Sequence, residues 1–138
     1  MRYRTLLFFL ITLYACNPYS KTADEKLIGS WAIEELYYNG KPYKDSLLIN
    51  TLFFEKDNLV ELPGTIFHKD EAGYYNLENK QNGFLRINAE NPVFKGNYNI
   101  KFFKNEHKKL LGIELISKKT RIKAYKFIQD YNSDGINW

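Results

Sequence analysis

At 138 residues the chain has the length of one domain. Its 20 basic and 16 acidic residues leave a formal charge of +4, and its single cysteine, Cys16, excludes an internal disulfide. The 11 Tyr, 10 Phe and 2 Trp favour strands and a packed core.

The N-terminus reads as an export signal. Met1-Arg2-Tyr3-Arg4 is a short basic n-region, and Leu6 to Ala15 is an apolar run broken only by Thr12. That run falls short of the roughly 20 residues a spanning helix needs. Without Arg2 and Arg4, 18 basic residues stand against 16 acidic ones, leaving +2. Such a charge gives no electrostatic case for nucleic acid. Leu13-Tyr14-Ala15-Cys16 resembles a bacterial lipobox, in which the cysteine thiol is acylated and becomes the first mature residue. The resemblance implies a signal peptide over 1–16, lipid attachment at Cys16 and a place in the bacterial cell envelope, on the periplasmic face or the cell surface. It also accounts for a lone thiol in an oxidising compartment.

The mature chain then runs in order. Residues 17–25 are mostly polar and read as a tether, with the domain proper over 26–138. Thr22-Ala23-Asp24-Glu25 has the form of a capping box, so one helical turn could run to about Leu27. Leu27 to Tyr38 is expected as strand one. Trp31 and Ile33 share a face, Glu34-Glu35 breaks the alternation, and Leu36 and Tyr38 resume on the other parity, the pattern of a β-bulge. Asn39-Gly40 is a turn needing positive φ, and Pro42 ends the ladder locally. Leu47 to Glu55 is the second strand, with Leu48, Leu52 and Phe54 on one face. Lys56-Asp57-Asn58 turns the chain into Leu59–Leu62, and Thr65–His68 reads as a fourth strand. Lys69-Asp70-Glu71 is a solvated loop.

Gly73 to Glu78 places Tyr75 and Leu77 together, and Phe84 to Asn88 pairs Leu85 with Ile87. Asn91-Pro92 is a break. Val93 to Lys104 is the clearest alternation, with Phe94, Gly96, Tyr98, Ile100 and Phe102 inward. Leu110–Ser117 and Thr120–Ile128 close the series, joined by a Lys118-Lys119 turn. This is an all-β chain of eight to ten short strands. An antiparallel up-and-down barrel of about eight strands hides its edges most economically, and a β-sandwich is the alternative.

Leu27-Ile28-Gly29-Ser30-Trp31, Phe54, Gly96-Asn97-Tyr98 and the final aliphatic strand together resemble the lipocalin-like domains of bacterial lipoproteins, over roughly residues 26–129. The resemblance implies that Gly29 and Trp31 form a structural barrel floor. In lipocalins a basic residue late in the last strand packs over that tryptophan. Here Arg121 lies at the beginning of the strand, and Lys126 is the nearest late candidate.

Motifs for chemistry are sparse. His68 and His107 sit in separate loops with no partner at metal-ligand spacing. No nucleophile elbow or phosphate loop occurs, and Glu34-Glu35 reads as one solvated and one bulge residue. Asp130, Asn132, Asp134 and Gly135 have part of a calcium-loop spacing but no closing glutamate. We therefore expect no enzyme activity, no catalytic residue, no metal and no cofactor. The inward aromatics Phe54, Tyr75, Tyr98 and Phe102 are the candidate ligand-binding residues. A small apolar ligand would enter at the barrel end opposite Trp31. The alternative is a filled barrel whose loops or edge bind a protein or glycan. The chain is expected to be a monomer, held to a membrane by its lipid.

Overall fold

A computed structural model describes residues 22–65, 71–79 and 83–127. Thr22 opens the fold as an N-cap. Its hydroxyl accepts from the Glu25 amide and the Glu25 carboxylate accepts from the Thr22 amide, a complete capping box. The helix it starts, α1 (Ala23–Leu27), includes residues that composition assigned to the tether. Residues 17–21 lie outside the described part.

Nine strands follow among the described residues: β1 (Gly29–Tyr38), β2 (Lys41–Pro42), β3 (Thr51–Phe54), β4 (Leu59–Leu62), β5 (Glu71–Asn79), β6 (Phe84–Asn88), β7 (Gly96–Asn105), β8 (Leu110–Ile116) and β9 (Thr120–Lys126). All pairings are antiparallel. Each strand from β3 to β9 pairs with its sequence neighbour, and β1 pairs with both β3 and β9. Eight strands thus close an up-and-down barrel, with the two-residue β2 continuing the edge of β1 that β3 occupies. Closure leaves no open edge along β1, where Trp31 faces Lys126 and Tyr38 faces Thr120.

The bulge lies where the alternation broke. Ile33 pairs with Ala124 and Glu35 with Lys123, so Glu34 is the extra residue. It switches the inward set from Trp31 and Ile33 to Leu36, all three buried. Asn39 (φ 50) and Gly40 (φ 76) make the tight turn into β2.

Strand two is shorter than expected. The Tyr43 amide donates to Leu36 and the Ile33 amide to Asn50. Between those bonds β1 advances three residues and the returning chain seven. The four surplus residues must leave the ladder, and they do so through a 3-10 turn at Lys44–Ser46. Leu48, expected inward, is therefore 63% exposed, while Leu52 and Phe54 are buried as expected. Of the fourth expected strand only Thr65 is described, in a lone bridge to Leu47; residues 66–68, including His68, lie outside. Glu71, expected in a solvated loop, begins β5. Its carboxylate accepts the Glu90 amide and, at 2.9 Å, the Asn91 amide. Phe94 is buried, but from a turn rather than from the strand. The Phe94 and Lys95 amides both donate to the Asn91 carbonyl, and β7 begins only at Gly96.

The core is the barrel interior. Trp31, Tyr98, Phe54 and Phe94 are its largest fully buried side chains, packed among Leu, Ile and Val from all eight strands. On the outer wall Gly112 lets the Phe103 ring lie flat across β8, where an added Cβ would meet that ring at 2.3 Å.

Candidate functional site

Strand direction sorts the barrel into two ends. One end carries α1, the β3–β4 and β7–β8 turns and the close of β9. We call it the floor. The other, the rim, carries the Asn39-Gly40 turn, the β6–β7 loop and the β8–β9 turn.

At the floor, Gly29 adopts φ 122, a backbone region that side chains rarely tolerate. This turns the chain from α1 into β1 and points Trp31 inward. The indole N–H of Trp31 donates to the Leu27 carbonyl at 2.7 Å, satisfying one of the helix's orphan acceptors. Lys126 stands over the indole, with Nζ 5.7 Å from the ring centroid, and donates to the Lys26 carbonyl at 3.2 Å. It occupies the position where the resemblance calls for a basic residue. A cation over indole contributes about 0.5–2 kcal/mol.

Three of the four candidate ligand-binding residues also lie at the floor. Phe54 pairs with Gly29 and meets Tyr75 edge to face at 5.2 Å. The Tyr75 hydroxyl donates to the Glu55 carbonyl at 2.7 Å, and burial pushes its pKa up to about 12, with Asp24 adding to the shift. Phe102 is half-buried beneath the Lys26 ammonium, 5.8 Å from its ring centroid. Only Tyr98 lies at the rim. Its hydroxyl donates to the Phe94 carbonyl at 2.7 Å, and burial raises its pKa to about 12. The four therefore do not gather at the end opposite Trp31. Strand parity told inward from outward but not the level along the strand.

The rim is bound by a buried polar network. Thr120 donates through its hydroxyl to the Val93 carbonyl at 2.6 Å, tying the β8–β9 turn to the β6–β7 loop. Asn91 holds that loop from within by accepting the Val93 amide on its side chain. Thr120 and Asn91 are both 2% exposed, so leaving either unpaired would cost about 1–3 kcal/mol.

The outer wall carries two further features. Glu34 and Glu35 are ion-paired with lysines. Lys108 lies 2.9 Å and Lys123 3.2 Å from Glu34, and Lys123 lies 3.3 Å from Glu35. The hydrogen bond from Lys108 holds the Glu34 carboxyl below its ordinary value, against the opposing effect of burial. Beside β3–β5 a groove of about 540 Å³ is lined by Ile49, Phe53, Leu62, Pro63 and Ala72, with Glu61 and Glu71 at its margins. The surplus residues of the β2–β3 connection form part of it, so sequence alternation gave no sign of it.

His107 is exposed in the β7–β8 turn. Among the described residues no three His, Cys, Asp or Glu side chains converge to hold a metal. The segment 130–135 lies outside the described residues, as does Cys16. No described helix is long and apolar enough to cross a membrane. No protein-family model, curated protein or solved structure matches the chain.

Proposed function

We propose that the protein is a lipid-anchored envelope binding protein with a lipocalin-like barrel, attached through Cys16 and without catalysis of its own. The observation that carries this reading is the floor. A tryptophan opens the first strand of a closed eight-stranded barrel, and a lysine of the last strand, where lipocalins carry a basic residue, lies over it. The ligand of this reading is a small apolar molecule inside the barrel, against Phe54, Tyr75 and Phe102 at the floor, since barrels of this size hold one small ligand or fill with side chains.

A second reading has its own support. Phe54 and Tyr75 are locked against each other, and both tyrosine hydroxyls are taken by backbone carbonyls, as suits a filled interior. The 540 Å³ outer groove, lined by Ile49, Phe53 and Pro63, then becomes the contact surface for a protein or glycan.

Native mass spectrometry of the protein purified from its own host separates the two. A co-purifying small molecule lost on Phe54→Trp substitution supports the interior site, and a mass equal to the bare polypeptide plus lipid supports the filled barrel. Changing Cys16 to Ala should release the protein from membranes; continued association would remove the anchor from the proposal.

A further inference from the structure

The strongest unassigned feature is a cleft of about 320 Å³ at the rim, between the β6–β7 loop and the β8–β9 turn. Lys95, Lys118 and Lys119 line it, together with Asn97 and Ser117, and no carboxylate does. Several other lysines of the barrel are engaged: Lys108 and Lys123 by Glu34, Lys126 by the Trp31 ring, Lys26 by the Phe102 ring. Among the described residues no ion pair or side-chain hydrogen bond engages the ammonium groups of Lys95, Lys118 or Lys119. Two acids of the neighbouring strand β5 are committed to other partners. Glu71 accepts the Glu90 and Asn91 amides, and Glu78 pairs with Arg86 at 2.7 Å.

Like charges brought together without counter-charge repel, so the fold must hold them there. The buried network supplies that hold. Thr120 bonds Val93 across the two loops, Tyr98 bonds Phe94, and Asn91 fixes the turn that ends at Lys95. On the other side the Ser117 hydroxyl accepts the Thr120 amide at 2.9 Å and the Lys119 amide at 3.3 Å, bracing the lysine turn. Asn97 accepts from Arg86 through its side-chain oxygen, so its NH2 group remains a donor. The cleft is thus lined by three lysines on rigidly supported loops, with the Asn97 NH2 group as a neutral donor, while the Ser117 hydroxyl donates to the Thr120 carbonyl at 3.1 Å. A compact multivalent anion suits that set, because lysine binds phosphate as a point charge without needing planar geometry.

We propose that this rim cleft binds a phosphate group, either free or as the monoester of a small saccharide. The site is independent of the lipid anchor and of any ligand inside the barrel. The test is a titration of the isotope-labelled full chain, in detergent, followed through backbone amide resonances. Inorganic phosphate, glucose 6-phosphate, glucose and matched sodium chloride are the probes.

Saturable shifts confined to 95–97 and 117–119 with either phosphate probe, and none with glucose or chloride, support the site. The ester binding more tightly assigns a saccharide phosphate, and inorganic phosphate binding more tightly assigns the free ion. In Lys118→Ala/Lys119→Ala binding should weaken about tenfold or more, while Lys56→Ala at the floor leaves it unchanged. Single Lys95→Gln and Lys118→Gln variants, each with an unaltered melting curve, should weaken it in part. Shifts spread over lysines at both ends, equal shifts with chloride, or unchanged binding in the folded double variant would overturn the proposal.

Discussion

The two ends of this barrel are closed by different chemistry. The floor is shut by large apolar bodies with polar tips: Trp31 under Lys126, bonded to the last turn of α1, with Phe54 against Tyr75 beside it. The rim is shut by Phe94 and Tyr98 together with small polar side chains, chiefly Thr120 and Asn91, that bond backbone carbonyls and amides. Both ends bury large rings, and the rim adds directed bonds that tie one loop to another. The cations differ as well. At the floor Lys126 and Lys26 lie on rings, and Lys108 and Lys123 pair with Glu34 on the wall, whereas Lys95, Lys118 and Lys119 line a rim cleft that no carboxylate lines.

Substitutions can break this contrast, and Trp31→Ala should break it most. It should cost about 3–5 kcal/mol in denaturant unfolding, from lost area and the cavity left behind. A loss below about 1 kcal/mol would mean that the indole does not carry the floor.

High pH probes both ends together. Tyr75 and Tyr98 keep their protons in the fold to about pH 12, above the ordinary tyrosine value of 10. An unfolded chain loses those protons from pH 10 upward, so between pH 10 and 12 the folded state binds more protons. Their contribution is fully present below pH 10 and is lost as pH rises through this window, by roughly 1.4 kcal/mol per pH unit per group. Unfolding free energies measured at pH 9, 10 and 11 should fall accordingly, and less steeply in Tyr98→Phe. Equal slopes for that variant and the parent would remove Tyr98 from the account.

A smaller effect isolates the rim. Thr120→Val keeps the shape but leaves the Val93 carbonyl without this donor, and should cost about 1–3 kcal/mol. Faster hydrogen exchange in residues 91–95, with the α1 amides unaffected, should accompany it; uniform acceleration would mean that the two ends are not separately bound. Smallest is Lys126→Met, which keeps the aliphatic stem and loses the charge over Trp31. We expect about 0.5–2 kcal/mol, diminished little by salt because Lys126 is largely buried. A neutral result would reduce Lys126 to packing.

Local pattern made much of the barrel legible. Period-2 alternation located β4, β6 and β8 to within a residue, the parity switch at Glu34-Glu35 marked the bulge, and Thr22 with Glu25 marked the cap. The β2–β3 connection was not legible. Leu47, Leu48 and Ile49 are apolar enough for a strand, but the mismatch between three residues of β1 and seven of the return path decides their fate. The site divides along the same line. Gly29 and Trp31 were expected at the floor on the resemblance to lipocalin-like domains. The rim cleft could not, because Lys95 and the Lys118-Lys119 pair lie more than twenty residues apart and each reads alone as a solvated turn or outer face.

The sequence by itself determined the strand periodicity, most of the inward and outward sets, the bulge in β1 and the cap of α1. All of these follow from neighbours a few residues apart, through pleat, bulge and cap geometry. Only the tertiary structure decided that β1 closes against β9, that Lys126 takes the place over Trp31, and that Phe54, Tyr75 and Phe102 lie at the floor while Tyr98 lies at the rim. Those facts depend on register and on the height of each residue along the barrel. They are set by pairings between strands as far apart in sequence as the first and the last, which no local pattern encodes.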